Sequence, residues 1–207
     1  MLRALFACLC CTLVFANPCK EMPLKLNQMA QRDQLNRQAL RQLQLDSKTD
    51  TAEATKLRQQ ALADDTSNQA TLKRLLAQCG WPKDPGVRHD AWLITQHAGQ
   101  DRPLQRKVLA LMQALPDLTR SEQTDLAYLE DRLNRFDNKP QRYGTQFLRT
   151  DRCTIQFAPI DDLKAVEQRR QALGLPPTAD YLADLQRDMP KDCPRLISVP
   201  TTQISGH

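Results

Sequence analysis

From Leu24 to about Leu45 apolar residues recur at helical spacing, with Leu26, Met29, Leu40 and Leu43 on one stripe. The polar run Asp46-Ser47-Lys48-Thr49-Asp50 interrupts the stripe. A glutamine-rich stretch from about Thr51 to Ala63 predicts a second helix. Asp64-Asp65-Thr66-Ser67 then supplies cap residues for a third, running through Leu72, Leu75 and Leu76 to Gln78. Gly80 stands where a left-handed C-terminal cap belongs, and Trp81-Pro82 stops the helix. Val87 to Ala98 predicts a largely apolar helix closed by Gly99. Asp101-Arg102-Pro103 opens the next one, whose inner face carries Leu104, Val108, Leu111 and Leu115. Thr119-Arg120-Ser121-Glu122 fits a capping box ahead of Leu126, Leu129, Leu133 and Phe136, and Asn138-Lys139-Pro140 ends that helix.

Strand periodicity follows at one place. Tyr143, Thr145 and Phe147 alternate, Thr150-Asp151-Arg152 turns, and Ile155 and Phe157 alternate again. Asp161 is placed to cap a helix ending at Gly174, and Thr178 to cap a last one reaching about Asp188. The pattern therefore predicts a mainly α fold with a small β-hairpin (α+β) and about seven to eight helices. They form a single domain over 17–188, with the hairpin at about 143–158 and an irregular C-terminal tail over 189–207. No repeat period and no linker divides it.

Residues 1–16 depart from this amphipathic rhythm. Arg3 gives a positive start, Ala4 to Val14 form an apolar run, and Val14-Phe15-Ala16 fits a small-residue cleavage site, so a signal peptide with cleavage after Ala16 is expected. Setting these residues aside lowers the hydrophobic share from 41% to about 37%, a lean core for a chain of 207 residues. No later stretch is apolar for long enough to cross a bilayer, so no transmembrane segment is expected after signal removal, and a periplasmic or secreted location is. Cys8, Cys10 and Cys11 leave with the signal. The remaining Cys19, Cys79, Cys153 and Cys193 are even in number and would pair, in an oxidising compartment, in one of three connectivities. They lie far apart without a CxxC spacing, which argues against zinc or thioredoxin-like chemistry. Cys19 and Cys193 stand near the two mature ends, so bridging through them pins both termini.

Charge narrows the partners. The formal net charge is +5, with acids interspersed among bases and only 5% aromatic residues, so there is no basic stripe with interleaved aromatics and nucleic acid is not an expected partner. Six glycines argue against a glycine-rich nucleotide loop. GxSxG, HExxH and Walker motifs are absent, and His89 and His97 stand two helical turns apart, a poor spacing for one metal. Neither a metal nor a cofactor is expected.

The candidate chemistry lies in polar residues on apolar stripes. Leu26, Met29, Asp33, Asn36, Leu40 and Leu43 follow a 3-4-3-4-3 spacing, which turns Asp33 and Asn36 inward and sets Arg37 one turn after Asp33. Charged groups on a core face mark either a functional site or a structural ion pair tying helices together. His97 flanks Leu93 and Ile94 on a helix apolar nearly all round, as a core histidine or as a catalytic one. Asp101 either orients His97 or caps the following helix. Gln105 faces the edge of the next stripe and can reach the same pocket. Asp131 projects away from its helix's apolar face, as a solvated carboxylate would, whereas Arg132 stands nearer the stripe. Gly144 allows close backbone approach or a positive φ. The polar groups around it, Gln141, Tyr143 and Gln146, form either a ligand-binding lip or a hydrogen-bonded bulge.

Gly80-Trp81-Pro82, Gln96-His97-Ala98, Tyr128-Leu129 with Asp131-Arg132, and Gln141 with Tyr143-Gly144-Thr145-Gln146 occur in this order. With Asp33-Gln34 and Arg37 upstream, and Arg169-Arg170 with Gly174-Leu175 downstream, the chain resembles a bacterial family of uncharacterised exported and cytosolic proteins, classified as a domain of unknown function. The resemblance covers about residues 26–185. In that family the Gln-His-Ala stretch is usually followed by a carboxylate. This chain has Gly99 there, and Asp101 two residues on as the substitute. The resemblance implies a site location and no reaction.

Two function classes follow. One is an exported hydrolase or ligand-binding protein acting on a polar cell-envelope substrate. His97 would be its general base, oriented by Asp33 or Asp101, with Arg37 or Arg132 on the substrate's negative group. The other is a periplasmic inhibitor or immunity protein that binds a partner protein without catalysis.

Overall fold

The computed structural model describes residues 17–99, 101–149 and 153–193. The expected signal peptide (1–16), the Thr150-Asp151-Arg152 turn and most of the expected tail, 194–207, lie outside the described residues. Among the described residues the order is α1 (Pro18–Leu45), α2 (Ala52–Cys79), α3 (Pro85–His97), α4 (Arg102–Gln113), α5 (Arg120–Phe136), β1 (Phe147–Arg149), β2 (Ile155–Phe157), α6 (Leu163–Leu173) and α7 (Thr178–Arg187). The fold is mainly α with one small antiparallel hairpin, Leu148 opposite Gln156.

Helices α1 and α2, 28 residues each, run about 42 Å at 1.5 Å per residue and fold back on one another through the 46–51 turn. The Cys19–Cys79 disulfide joins the first turn of α1 to the last residue of α2. The expected start at Leu24 falls inside α1, which begins six residues earlier. Asn17 caps it by accepting from the Cys19 N–H at 3.0 Å, and Pro18 occupies the first position, where no donor is needed. Pro23 therefore lies within the helix.

The two helices expected over 51–78 are one. Asp64 and Asp65 reach sideways instead of capping: Asn36 Nδ2 donates to Asp64 at 2.8 Å and Arg37 Nη2 to Asp65 at 2.8 Å. The Thr66 hydroxyl donates back to the Leu62 carbonyl at 3.0 Å, which keeps it inside the helix. Local cap preference is a weak bias that tertiary partners override.

Two apolar clusters follow. The larger one holds Leu26 and Met29 of α1, Leu72 of α2, Ile94 of α3, Val108 of α4 and Leu129 of α5. The smaller one gathers Ile155, Leu182 and Met189 with Phe147 and Phe157, held by the Cys153–Cys193 disulfide. Along α1 the first cluster ends near Met29, while Gln44 donates to the Asp188 carbonyl at 2.8 Å beside the second. Asp33 and Arg37 lie between.

Capping follows the sequence at Thr119 and Glu122, which form the reciprocal box, and at Gly174 with φ +68°. It departs at α6, where Asp162 caps by accepting from the Ala165 N–H at 3.0 Å. Asp161 pairs instead with Arg169 at 2.9 Å. Thr178 is the first residue of α7, and its hydroxyl is turned to Glu167. Tyr143 and Thr145 precede β1 instead of lying in it, because their N–H groups are drawn to Asp131. That carboxylate is fully buried and not solvated as its helix position suggested.

Each disulfide closes a long loop, 60 and 40 residues, for which loop-closure entropy gives about 4 kcal/mol each. Replacing Cys19 and Cys79 together by serine should lower the urea unfolding free energy by up to about 4 kcal/mol. A loss below about 0.5 kcal/mol would mean that α1 and α2 hold together without the bridge.

Candidate functional site

Asp33 occupies a stripe position where packing alone calls for an apolar side chain, and it is buried. Three groups converge on it. Arg37 Nε donates to Oδ1 at 3.0 Å from one helical turn on, and Gln34 Nε2 donates to Oδ2 at 2.9 Å. His97 Nδ1, on the last residue of α3, stands 2.7 Å from Oδ2. That contact is an ion-pair approach without the directionality of a well-formed N–H···O bond. Burial alone would raise the Asp33 carboxyl, but His97, Arg37 and Gln34 hold it below its ordinary value. Arg37 also reaches Asp65 of α2 at 2.8 Å, where burial outweighs the guanidinium and pushes the carboxyl up.

One residue before His97, the buried Gln96 accepts from Arg132 Nε of α5 at 2.5 Å. Desolvation pushes the Arg132 guanidinium down to about 10, helped by repulsion from Arg135 and Arg37 and opposed by the Tyr181 phenol. It remains a cation at neutral pH. Burial, then the neighbouring Tyr128 hydroxyl, pushes the Tyr181 phenol up, and its O–H donates to the Thr145 carbonyl at 3.3 Å. Arg170 lies over the Tyr181 ring at 5.1 Å.

Behind Tyr181 the 141–146 loop wraps around Asp131. The carboxylate accepts from the Arg142 N–H at 2.7 Å, from the Tyr143 N–H at 3.2 Å and from both the N–H and hydroxyl of Thr145 at 3.0 Å. Burial pushes this carboxyl up and the donors pull it back. Arg170 closes the far side of the loop, Nη1 donating to the Tyr143 carbonyl at 2.7 Å and the Gly144 carbonyl at 3.1 Å. Gly144 has φ +61°, and a Cβ there would make only ordinary contacts from 3.6 Å outward, so the left-handed backbone is what requires glycine.

A family model decides the relationship: it matches residues 22–190 and describes a family of unknown function, DUF6624. The chain belongs to DUF6624. No curated protein and no solved structure matches it. The resemblance to a domain of unknown function is thereby met.

In this DUF6624 chain the site residues separate into two groups. Asp33, Arg37 and His97 come together directly, and Arg132 bonds Gln96, the residue before His97. Asp101 makes no contact with His97: Oδ1 caps α4 through the Leu104 N–H at 3.1 Å, and Oδ2 pairs with Lys73. The acid against His97 therefore comes from α1. Gln105 is fully buried, donating to the Thr95 carbonyl at 3.2 Å with Oε1 unpartnered. The Gln141 amide is spent on backbone, donating to the Gln146 and Ala158 carbonyls and accepting from the Gln146 N–H. Gln146 Nε2 turns to the Thr145 hydroxyl at 3.2 Å, and Tyr143 is half-buried under Arg142. These loop residues build the wall behind Tyr181 instead of touching His97.

Sequence reasoning did not place Asp65, Tyr181 and Arg170 at the site: Asp65 read as a cap residue, and Arg170 entered only with the family resemblance. Two adjacent acids in a long helical register, and an aromatic opposite a pair of arginines, are the signals that pointed to them. A depression of about 480 Å³ between α1 and α3 is lined by Gln31, Gln34, Leu35 and His89, among others. His97, Asp33 and Arg132 do not line it. It touches the site only through Gln34, whose amide bonds Asp33.

Asp33→Asn should cost about 2–4 kcal/mol at neutral pH, because it leaves His97 and Arg37 short of a buried partner. The Asp33 carboxyl is held below its ordinary value when folded. The wild-type advantage is therefore complete above about pH 4 and lost as acid takes the pH through the lower folded value. Urea unfolding of both proteins from pH 2 to 8 checks this. A gap that closed near pH 6.5 instead would assign the effect to a histidine.

Proposed function

We propose that this protein is an exported hydrolase acting on a polar cell-envelope substrate, with His97 as general base and Asp33 as the carboxylate that orients it. The observation that carries this reading is the 2.7 Å approach of His97 Nδ1 to a buried carboxylate that Arg37 and Gln34 hold ionised. An imidazole whose Nδ1 faces a carboxylate leaves Nε2 for a ligand. Nε2 can take a proton from an attacking water, while Asp33 stabilises the imidazolium that results. His97 keeps 22% of its side chain exposed, against 2% for Asp33, so access is on the histidine side of the pair.

Two disulfides support a location outside the reducing cytosol, together with the apolar N-terminal run that reads as a signal peptide. No helix among the described residues is long and apolar enough to cross a membrane. An inhibitor or immunity protein draws on a different observation: Leu24, Leu35 and Leu62 are each more than 60% exposed on α1 and α2 and would serve a partner surface.

His97→Gln separates the two. It keeps the side chain's bulk and hydrogen bonding but cannot cycle a proton. Hydrolysis of envelope extracts, followed by mass spectrometry, should fall at least about 100-fold while stability changes by less than about 1 kcal/mol. Full activity in that variant sinks His97 as the general base, absence of hydrolysis by the wild-type protein sinks the enzymatic reading, and loss of fold together with activity makes His97 a structural residue.

A further inference from the structure

Arg132 is a cation of this region that no carboxylate answers among the described residues. Its Nε is committed to Gln96 Oε1, a neutral amide. No carboxylate pairs with it among the described residues. Three other arginines are spent: Arg37 holds Asp33 and Asp65, Arg170 gives its guanidinium to the carbonyls of Tyr143, Gly144 and Pro176, and Arg142 pairs with Glu130.

A second orphan stands beside it. Gln96 is 4% exposed, and while its Oε1 takes Arg132, its Nε2 is buried with no partner. A buried donor left unmade costs about 1–3 kcal/mol, and native structures keep few of them. One acceptor placed against Arg132 would answer both.

We infer that Arg132 and Gln96 form an anion subsite that takes the carboxylate of a monoanionic substrate, next to the His97–Asp33 pair. With Nε engaged, the two terminal nitrogens of Arg132 form an end-on fork that matches the two oxygens of a carboxylate. Charge decides against a dianion. Arg37 is already shared by Asp33 and Asp65, so Arg132 offers a ligand one unpaired positive charge, a surplus of one, with two carboxylates close by. A single carboxylate balances that surplus, whereas a phosphate dianion overshoots it beside two carboxylates. The inference rests on the proposed reading of the His97–Asp33 pair as the place where substrate is held, and names the substrate class.

The test uses the oxidised full chain and three probes at constant ionic strength: N-acetylglycine, its uncharged relative N-acetylglycinamide, and inorganic phosphate. Titration calorimetry should show saturable binding of N-acetylglycine alone, weakened at least about tenfold in Arg132→Lys, which keeps the charge and loses the fork. Gln96→Glu supplies the missing carboxylate from within, so it should raise the melting temperature and abolish probe binding. His97→Gln should bind N-acetylglycine as wild type does even while hydrolysis is lost, so catalysis and anion recognition fail separately. Absence of saturable N-acetylglycine binding overturns the inference. So does equal binding of the amide, preference for phosphate, or an Arg132→Lys protein of unchanged affinity. Where Arg132→Lys does not fold, Gln96→Glu decides, and probe binding retained in that variant overturns the subsite.

Discussion

The C-terminal third of the molecule hangs on one buried carboxylate. Asp131 lies in the middle of α5 without exposed surface, and taking such a group out of water is tolerable only when donors surround it. The donors are supplied by the backbone of residues 142–145. Everything beyond follows from where that loop is pinned. The Tyr143 and Gly144 carbonyls point to Arg170, which orients α6. The Thr145 carbonyl takes Tyr181, which positions α7. The hairpin leaves the loop only after its polar duties are met, which is why β1 starts at Phe147 and not at Tyr143.

The same rule, applied to cations, separates structure from function. Arg170 is fully enclosed and fully answered by carbonyls, so it acts as a rivet. Arg37 divides itself between acids on two helices and locks α1 against α2. Among the described residues Arg132 is met by an amide alone. Three arginines within one polar layer therefore carry three different loads, and their partners, not their burial, tell them apart. Gln96 belongs with Arg132 for the same reason, since half of its amide is used and half is idle.

Much of the architecture was legible in the sequence because it rests on local signals. Helical periodicity, the Thr119–Glu122 box and the glycine after α6 are short-range features, and they reappear in place. The misreadings share one cause. Asp64-Asp65 looked like a cap because a cap is the usual reason for polar residues in a helical pattern, and nothing local showed that Asn36 and Arg37 lie opposite. Asp131 looked solvated because its partner is main chain, and main-chain donors have no letter in the sequence. Asp33 was legible for the opposite reason: a charge at a core position of a regular stripe is anomalous without knowing its partner, and His97 stood out likewise. That the two face each other is a long-range fact that neither periodicity contains.

The disulfides close the segments 19–79 and 153–193, and these segments neither overlap nor nest. Of the three pairings open to four cysteines, this is the one in which each cysteine joins its neighbour in chain order. A chain threaded N-terminus first into an oxidising compartment has Cys19 and Cys79 available before Cys153 arrives. Under the proposed export, order of arrival would favour these partners over the other two pairings and would close the α1–α2 hairpin before the residues that complete the polar layer arrive.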